Sequence, residues 1–145
     1  MQSSKQTHLI GMVLHLHHKL HNVYAKILEP YGLIPRQFGV LRTGSMGQAL
    51  SQTKLSQIFM LDKNIVGMMI DALEGRELIQ RQQNPKNRRE NLIITTDKGE
   101  ALVAEVESKL LQAQRECCGA LSEEEFANLC EYITKINVCS PIEKQ

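Results

Sequence analysis

The sequence predicts a mainly α-helical domain that carries one small β-hairpin. Three observations favour this fold class. Apolar residues recur at helical spacing in six segments. After the fourth of these segments, a basic turn joins two stretches in which polar and apolar residues alternate. The last third of the chain has a heptad pattern of apolar residues. A chain of 145 residues, 42% of them hydrophobic, can bury a core without metal or disulfide staples. We therefore expect a single domain over residues 1–145.

The first two helices are defined by apolar spacing and by helix breakers. Apolar residues recur at intervals of three and four from about Thr7 to Glu29, and Pro30 and Gly32 end that helix. Pro35 stands where the first turn of a helix tolerates proline. The segment PRQFGVLRTG is therefore expected to form the second helix.

Two shorter helices are expected next. Ser51 is a candidate N-cap for the segment QTKLSQIF, and Asp62 for the helix after it. The apolar stripe of this fourth helix consists of Val66, Met69, Ile70 and Leu73. Its opposite, outward face consists of Lys63, Asn64, Gly67 and Asp71.

A β-hairpin with a basic tip follows the fourth helix. Its strands are expected near Leu78–Gln83 and Asn91–Thr95, and the turn between them carries Lys86, Arg88 and Arg89. A helix-turn-helix followed by such a hairpin is a winged helix-turn-helix. Its second helix can enter the DNA major groove while the cationic β-tip reaches phosphates or the neighbouring minor groove.

The C-terminal third predicts two further helices, and the first begins at Thr96 and Asp97. Its apolar positions form a heptad seam that suits packing along a partner helix, and they are Val103, Val106, Leu110, Ala113, Cys117 and Ala120. Ser122 and Glu125 fit a capping box at the start of the last helix. The tail from Ser140 to Gln145 is expected to be frayed.

Positive charge is concentrated in the first two thirds of the chain. Residues 1–96 hold 12 Lys and Arg against 6 Asp and Glu, whereas residues 97–145 hold 5 against 10. Such asymmetry favours one surface that meets an anion. Solvated helix faces would explain the charge balance, taken alone, equally well.

Several classes of protein are disfavoured by missing signals. The sequence has no Walker loop, no GxGxxG and no GxSxG, so we expect neither an enzyme nor a bound cofactor. No apolar run approaches the roughly 18 to 20 residues of a membrane span. The N-terminal segment also has no cleavage site of a signal peptide. The sequence thus predicts a cytoplasmic protein without membrane contact.

The same segments, taken together, resemble the MarR family of winged-helix transcriptional regulators, named for multiple antibiotic resistance. The resemblance runs from about Pro35 to Leu102. PRQFGVLR is similar to the family's second helix, and LSQTKLSQIFMLDKNIVGMMIDAL to its helix-turn-helix. NPKNRRENLIITTDKGEAL resembles the family's wing, which reads Asp-x-Arg and then Leu-Thr-x-x-Gly. The matching positions here are Asn87, Arg89, Thr95, Thr96 and Gly99.

The resemblance implies a function. It implies a homodimer formed by helices in residues 1–32 and 100–145, with a DNA-binding region over residues 35–99. The fourth helix would read pseudo-palindromic double-stranded DNA in the major groove, and Arg89 would enter the minor groove. The protein would be a repressor released by a small aromatic or anionic effector. That effector would bind at the junction of the first helix and the winged region and change the separation of the two reading helices.

The expected DNA contacts come from three elements. Lys63 and Asn64 can contact bases, Asn64 suits adenine, and Met68 can touch a thymine methyl group. The start of the third helix and the wing would add contacts to the backbone. The complete set is Gln52, Thr53, Lys54, Lys63, Asn64, Met68, Lys86, Arg88 and Arg89.

Three positions depart from the family pattern. Asn87 replaces the wing aspartate, which would orient the arginine through a charge-assisted hydrogen bond. Met60 and Glu77 stand where the family has glycine, and a positive φ at Glu77 would cost about 1 kcal/mol unless the helix ends earlier at Gly75. These departures keep open an interaction or architectural protein that has the fold but does not read sequence.

The histidines and cysteines of the chain keep open a further alternative, a regulator that responds to metal ions or to oxidants. His17 and His21, spaced i, i+4, could share a metal ion, although the remaining ligands are not apparent and a polar helix face is the simpler interpretation. Cys117 and Cys130 lie on apolar stripes and are expected to be buried. Cys118 falls off the stripe and is the candidate for an exposed, redox-active thiol.

Overall fold

The computed structural model describes residues 8–45 and 47–138, and in these ranges it contains six α-helices and a three-stranded antiparallel sheet. The mainly α fold with a small β wing is confirmed. The elements are α1 Leu9–Leu28, α2 Pro35–Ser45, β1 Leu50–Ser51, α3 Gln52–Phe59, α4 Lys63–Gly75, β2 Ile79–Asn84, β3 Asn87–Thr95, α5 Asp97–Cys117 and α6 Glu123–Val138.

The boundaries of the first helix and of the strands differ from the sequence-based expectations. The residues Glu29–Tyr31 form a 3-10 turn that includes Pro30, so α1 ends one residue early. The strand β2 begins and ends one residue later than expected, whereas β3 starts four residues earlier, at Asn87. The two-residue strand β1 was not expected, because so short a segment has no periodicity. Thr7 and the tail from Ser140 to Gln145 lie outside the described residues.

Side-chain caps fix where the helices begin. Ser51, Asp62 and Thr96 each accept a hydrogen bond from a backbone N–H in the first turn of α3, α4 and α5. Ser122 and Glu125 exchange hydrogen bonds of 2.8 and 3.1 Å, which is the predicted capping box of α6. Each such cap stabilises its helix by about 1 kcal/mol.

The hydrophobic core lies between α1, α2, α4, α5 and the sheet. The predicted inward stripe of α4 is confirmed, since all four of its members are buried. Thr95 ties the sheet to α2, because its hydroxyl donates to the carbonyl oxygen of Leu41 over 2.8 Å. The largest fully buried side chains are Leu28, Leu41, Leu55, Ile70, Leu73, Ile79 and Ile93. The core therefore holds α4 and the wing to one scaffold.

The apolar faces of α1 and α6 are not covered by any other residue that the structure describes. Of the heptad seam of α5, Val103, Val106 and Leu110 are buried, but the seam becomes half-buried and then exposed toward Ala120. The large apolar side chains left more than half exposed on α1 and α6 are Leu9, Ile10, Met12, Val13, Leu14, Tyr132, Ile136 and Val138. No helix in the described ranges is long and apolar enough to cross a membrane.

We predict that Gly99→Ala destabilises the fold. A β-carbon at position 99 would clash with the carbonyl oxygen of Leu78 and stand 2.6 Å from Cγ2 of Thr95. Such overpacking costs about 1–3 kcal/mol. The measurement is chemical unfolding at one fixed protein concentration. Gly75→Ala is the matched control, because nothing lies within 4 Å of its added carbon. Equal stability of the two variants would contradict the close packing of α5 against the hairpin.

Candidate nucleic-acid interface

Two residues that flank α4 adopt a positive φ although neither is glycine. Met60 ends α3 at φ +50°, and Glu77 follows α4 at φ +60°. Both are left-handed conformations that cost a non-glycine residue about 1 kcal/mol. The sequence left open a positive φ at Glu77 or an earlier end of the helix at Gly75, and the structure shows both. Glu77 has a positive φ although α4 already ends at Gly75.

The outward face of α4 is open. Lys63 and Asn64 are exposed, and their side chains make no hydrogen bond or ion pair with any residue that the structure describes. Met68 is 72% exposed on the same helix. Burial of the opposite stripe forces these side chains outward. Their contact with DNA stays a prediction.

Gln52 differs from the sequence-based expectation, because it is engaged inside the fold. Its Nε2 donates over 3.0 Å to the backbone carbonyl of Lys63, so the side chain spans from α3 to the first turn of α4. Gly67 makes room for it, since a β-carbon there would stand 2.9 Å from Nε2 of Gln52. Thr53 is half-buried and Lys54 is exposed. Gln52 thus positions α4, while the side chain of Lys54 forms no ion pair with any described residue.

The tip of the wing contains a bulge that carries both arginines. In the strand register Gln83 pairs with Asn91, but Asn84 pairs with Asn87. Residues 88–90 therefore have no register partner on β2. Arg88 and Arg89 lie in this bulge, exposed. Bulges re-aim side chains at the edge of a sheet. Among the described residues neither arginine, nor Lys86 in the turn, forms an ion pair.

Two asparagines shape the turn through their side chains. The Oδ1 of Asn84 accepts from the backbone N–H of Lys86 over 3.0 Å, and that of Asn87 accepts from the backbone N–H of Arg89 over 3.2 Å. Asn87 therefore keeps the role of an acceptor, but toward the backbone of Arg89. This contact fixes the main chain of the bulge and leaves the guanidinium free.

Arg81 joins the wing to α4, a role that we did not expect from the sequence. Its guanidinium contacts Asp71 over 2.5 Å and also Glu74, and its backbone N–H donates to Glu74 over 3.0 Å. Partial burial alone would lower the pKa of this guanidinium, but the hydrogen bonds to Asp71 and Glu74 raise it above its ordinary value. The alternation of β2 was the available signal, because Arg81 shares a sheet face with the buried Ile79.

A cavity of about 330 Å³ lies where α1, α2 and α5 meet. This is the junction of the first helix with the winged region. Arg42 and Glu107 form an ion pair of 2.6 Å on its wall, and the hydroxyl of Tyr24 donates to Gln114 over 2.8 Å. Burial raises the pKa of the Tyr24 hydroxyl, and the positive charge of Arg42 opposes this effect. The cavity combines apolar walls with one cation and one carboxylate.

The candidate metal-binding and redox-active residues lie outside the α4 face and the wing. His17 and His21 are exposed on α1 with ring centroids 5.6 Å apart. Of the two thiols expected to be buried, Cys117 is half-buried and Cys130 is exposed, so the expectation is wrong for Cys130. Cys118, the candidate for an exposed thiol, is also half-buried. None of the described residues of α6 is buried, which accounts for the exposure of Cys130. Cys118 and Cys130 line a small apolar cavity of about 110 Å³.

The fold and this arrangement define a winged helix-turn-helix protein. A family model described as MarR family matches residues 32–91, which include the helix-turn-helix and most of the wing. The resemblance to the MarR family that the sequence indicates is therefore confirmed over these residues.

Solved structures of this fold are similar over almost the whole chain. CouR from Rhodococcus jostii RHA1 bound to p-coumaroyl-CoA is 24% identical with a TM-score of 0.79, covering 97% of this chain and 100% of that one. A variant of MarR from E. coli complexed with operator DNA is 22% identical with a TM-score of 0.74, covering 88% and 92%. MepR from S. aureus in complex with DNA is 20% identical with a TM-score of 0.76, covering 92% and 99%.

We predict that Arg81→Met loosens the wing. The change removes both ion pairs with α4, and these partly exposed pairs contribute on the order of 1 kcal/mol. Hydrogen exchange of the wing amides should therefore be about fivefold faster. Arg88→Met is the control, because it removes an arginine that forms no ion pair in the described structure. Unchanged exchange in Arg81→Met would show that the hairpin holds its place without α4.

Proposed function

We propose that this protein is a DNA-binding transcriptional regulator that works as a homodimer and represses until a small molecule releases it. The observation that carries the proposal is the pairing of an open polar helix face on α4 with free cations on the bulged wing. These two elements are held together by Arg81. Phosphate-rich duplex DNA is the partner that such a surface fits.

Each part of the interface has its own task in this proposal. Arg88, Arg89 and Lys86 meet the DNA backbone, and Arg89 reaches the minor groove. Lys63 and Asn64 read bases in the major groove, where Met68 contributes apolar contact. Of the three residues of α3, Lys54 meets phosphate and Thr53 supports it, while Gln52 acts by holding α4 in position. Discrimination between sequences is then modest, because few base-reading side chains are available.

The dimer is supported by the uncovered apolar faces of α1 and α6. A monomer would leave these faces in water, at a cost of roughly 25 cal/mol for each Å² of apolar surface. A second copy covers them, so that residues 1–32 and 100–145 form the dimerisation region and residues 35–99 the DNA-binding region. The two α4 helices then dock in half-sites about one helical turn apart.

Control is assigned to the cavity between α1, α2 and α5. An aromatic acid would place its ring against apolar walls and its carboxylate on Arg42, displacing Glu107. Because the cavity touches both proposed regions, filling it changes the spacing of the two α4 helices. The ligand-bound CouR structure supports an effector for this fold, and the DNA complexes of MarR and MepR support DNA as the partner. We place such a regulator in the cytoplasm, where it reaches its DNA.

The function is tested by selecting bound sequences from a random duplex pool at physiological salt. We expect an inverted repeat with half-sites about one turn apart. Arg89→Ala should weaken binding to it by about 1–3 kcal/mol and lower the salt dependence by about one counterion. Lys135→Ala on α6, which also removes one positive charge, is the control and should bind as the parent does. Retained DNA with no enriched sequence would favour the architectural alternative.

Base reading and backbone contact can be separated by two further variants. Asn64→Ala should relax the preference at one base-pair position in each half-site, since it removes a bidentate contact of about 1–3 kcal/mol. Lys86→Ala should weaken binding about equally for all sequences, because it removes a contact to phosphate. The measurement is the affinity of each variant for the selected operator and for single-base variants of that operator. The assignment of α4 to the major groove fails if Asn64→Ala lowers all affinities by the same factor.

A further inference from the structure

Four of the five histidines of the chain fall within two turns of α1, and the proposed DNA contacts use none of them. We propose that two of these, His17 and His21, form a binding site for a divalent transition-metal ion of the Zn²⁺ class. The proposal concerns a second site on the protein, separate from the α4 face and the wing. It does not depend on whether the protein regulates transcription.

The geometry of the pair is close to that of a chelate. The ring centroids of His17 and His21 are 5.6 Å apart, and the rings are tilted by 35°. Two imidazoles on one tetrahedral ion have centroids about 5 Å apart, given metal–nitrogen bonds of about 2.0–2.1 Å. A small rotamer adjustment therefore brings both rings onto one ion. The helix backbone needs no change, because both residues lie well inside α1.

The ring nitrogens of this pair are also free. His17 and His21 are exposed and have no hydrogen bond or ion pair to any residue in the described ranges. The neighbouring His18 differs, since its Nε2 lies 3.1 Å from the side-chain nitrogen of Asn22. A metal ion therefore displaces only water from His17 and His21, whereas at His18 it competes with a protein contact.

The remaining coordination positions belong to water. Within the described residues no group of three His, Cys, Asp or Glu side chains could hold a metal ion, so this part of the chain supplies two ligands. Imidazole nitrogen suits Zn²⁺, Cu²⁺ and Ni²⁺ and disfavours Mg²⁺ and Ca²⁺, which prefer oxygen. In the single chain the site is therefore open and exchangeable, and it is selective for the late transition metals, with one ion for each protomer.

The position of the pair on α1 places the ion next to the exposed apolar face of this helix. His17 and His21 follow Ile10, Val13 and Leu14 along one face of the helix, at helical spacing. These three apolar side chains are all more than half exposed. A bound dication thus adds charge at the end of the apolar face that the proposed dimer covers.

The experiment is a Zn²⁺ titration of the full chain, followed through the imidazole proton signals in NMR spectra. We expect the signals of His17 and His21 to shift together and to stop shifting at one ion per protomer. Addition of EDTA should reverse the shift, and Mg²⁺ should not produce it. His17→Gln should abolish the response of His21, and His21→Gln that of His17.

The matched controls are His15→Gln and His18→Gln, which remove a neighbouring histidine and should leave the response of the pair intact. Circular dichroism checks that all four variants keep their helical content. The proposal is overturned if either ring still responds when the other is replaced. It is also overturned if Zn²⁺ in excess shifts neither signal, including the case where the thiols of Cys117, Cys118 or Cys130 take up the ion instead.

Discussion

Burial of one face of α4 is the constraint on which the rest of this molecule depends. Val66, Ile70 and Leu73 are almost completely removed from water, and each contributes roughly 1.5–3 kcal/mol to keeping the helix in place. Because a helix repeats every 3.6 residues, fixing that stripe also fixes which side chains point away from the core. The outward position of Lys63 and Asn64 is thus a consequence of apolar packing on the other side.

The parts of the fold set by local rules could be predicted from the sequence. The stripe of α4, the caps at Ser51, Asp62 and Thr96 and the basic hairpin follow from periodicity and from short-range hydrogen bonding. The basic tip of the wing was predictable for the same reason, since Asn84 and Pro85 mark a turn beside Lys86, Arg88 and Arg89. The six helices and the two strands of the hairpin were therefore predicted, whereas β1 was not, and three strand ends lie one to four residues from their expected positions.

What could not be predicted depends on contacts between distant segments. The contact of Gln52 with α4 and the contact of Arg81 with Asp71 appear only when separate elements meet. The exposure of Cys130 depends on the packing of α6, none of whose described residues is buried. Helical spacing tells which residues share a face, but it does not tell which face another element covers.

The order of the sheet gives the pairing of Arg81 and Glu74 a second effect. The strands run β1-β3-β2, so β2 is an edge strand whose outer backbone groups are open to another chain. Glu74 accepts the backbone N–H of Arg81 and so occupies one of those groups. Beyond Ile79 the strand is polar throughout, reading QRQQN. Exposed strand edges promote aggregation, and charged or polar residues oppose it. The residues that hold the wing to α4 therefore also keep the wing from pairing with the hairpins of other molecules.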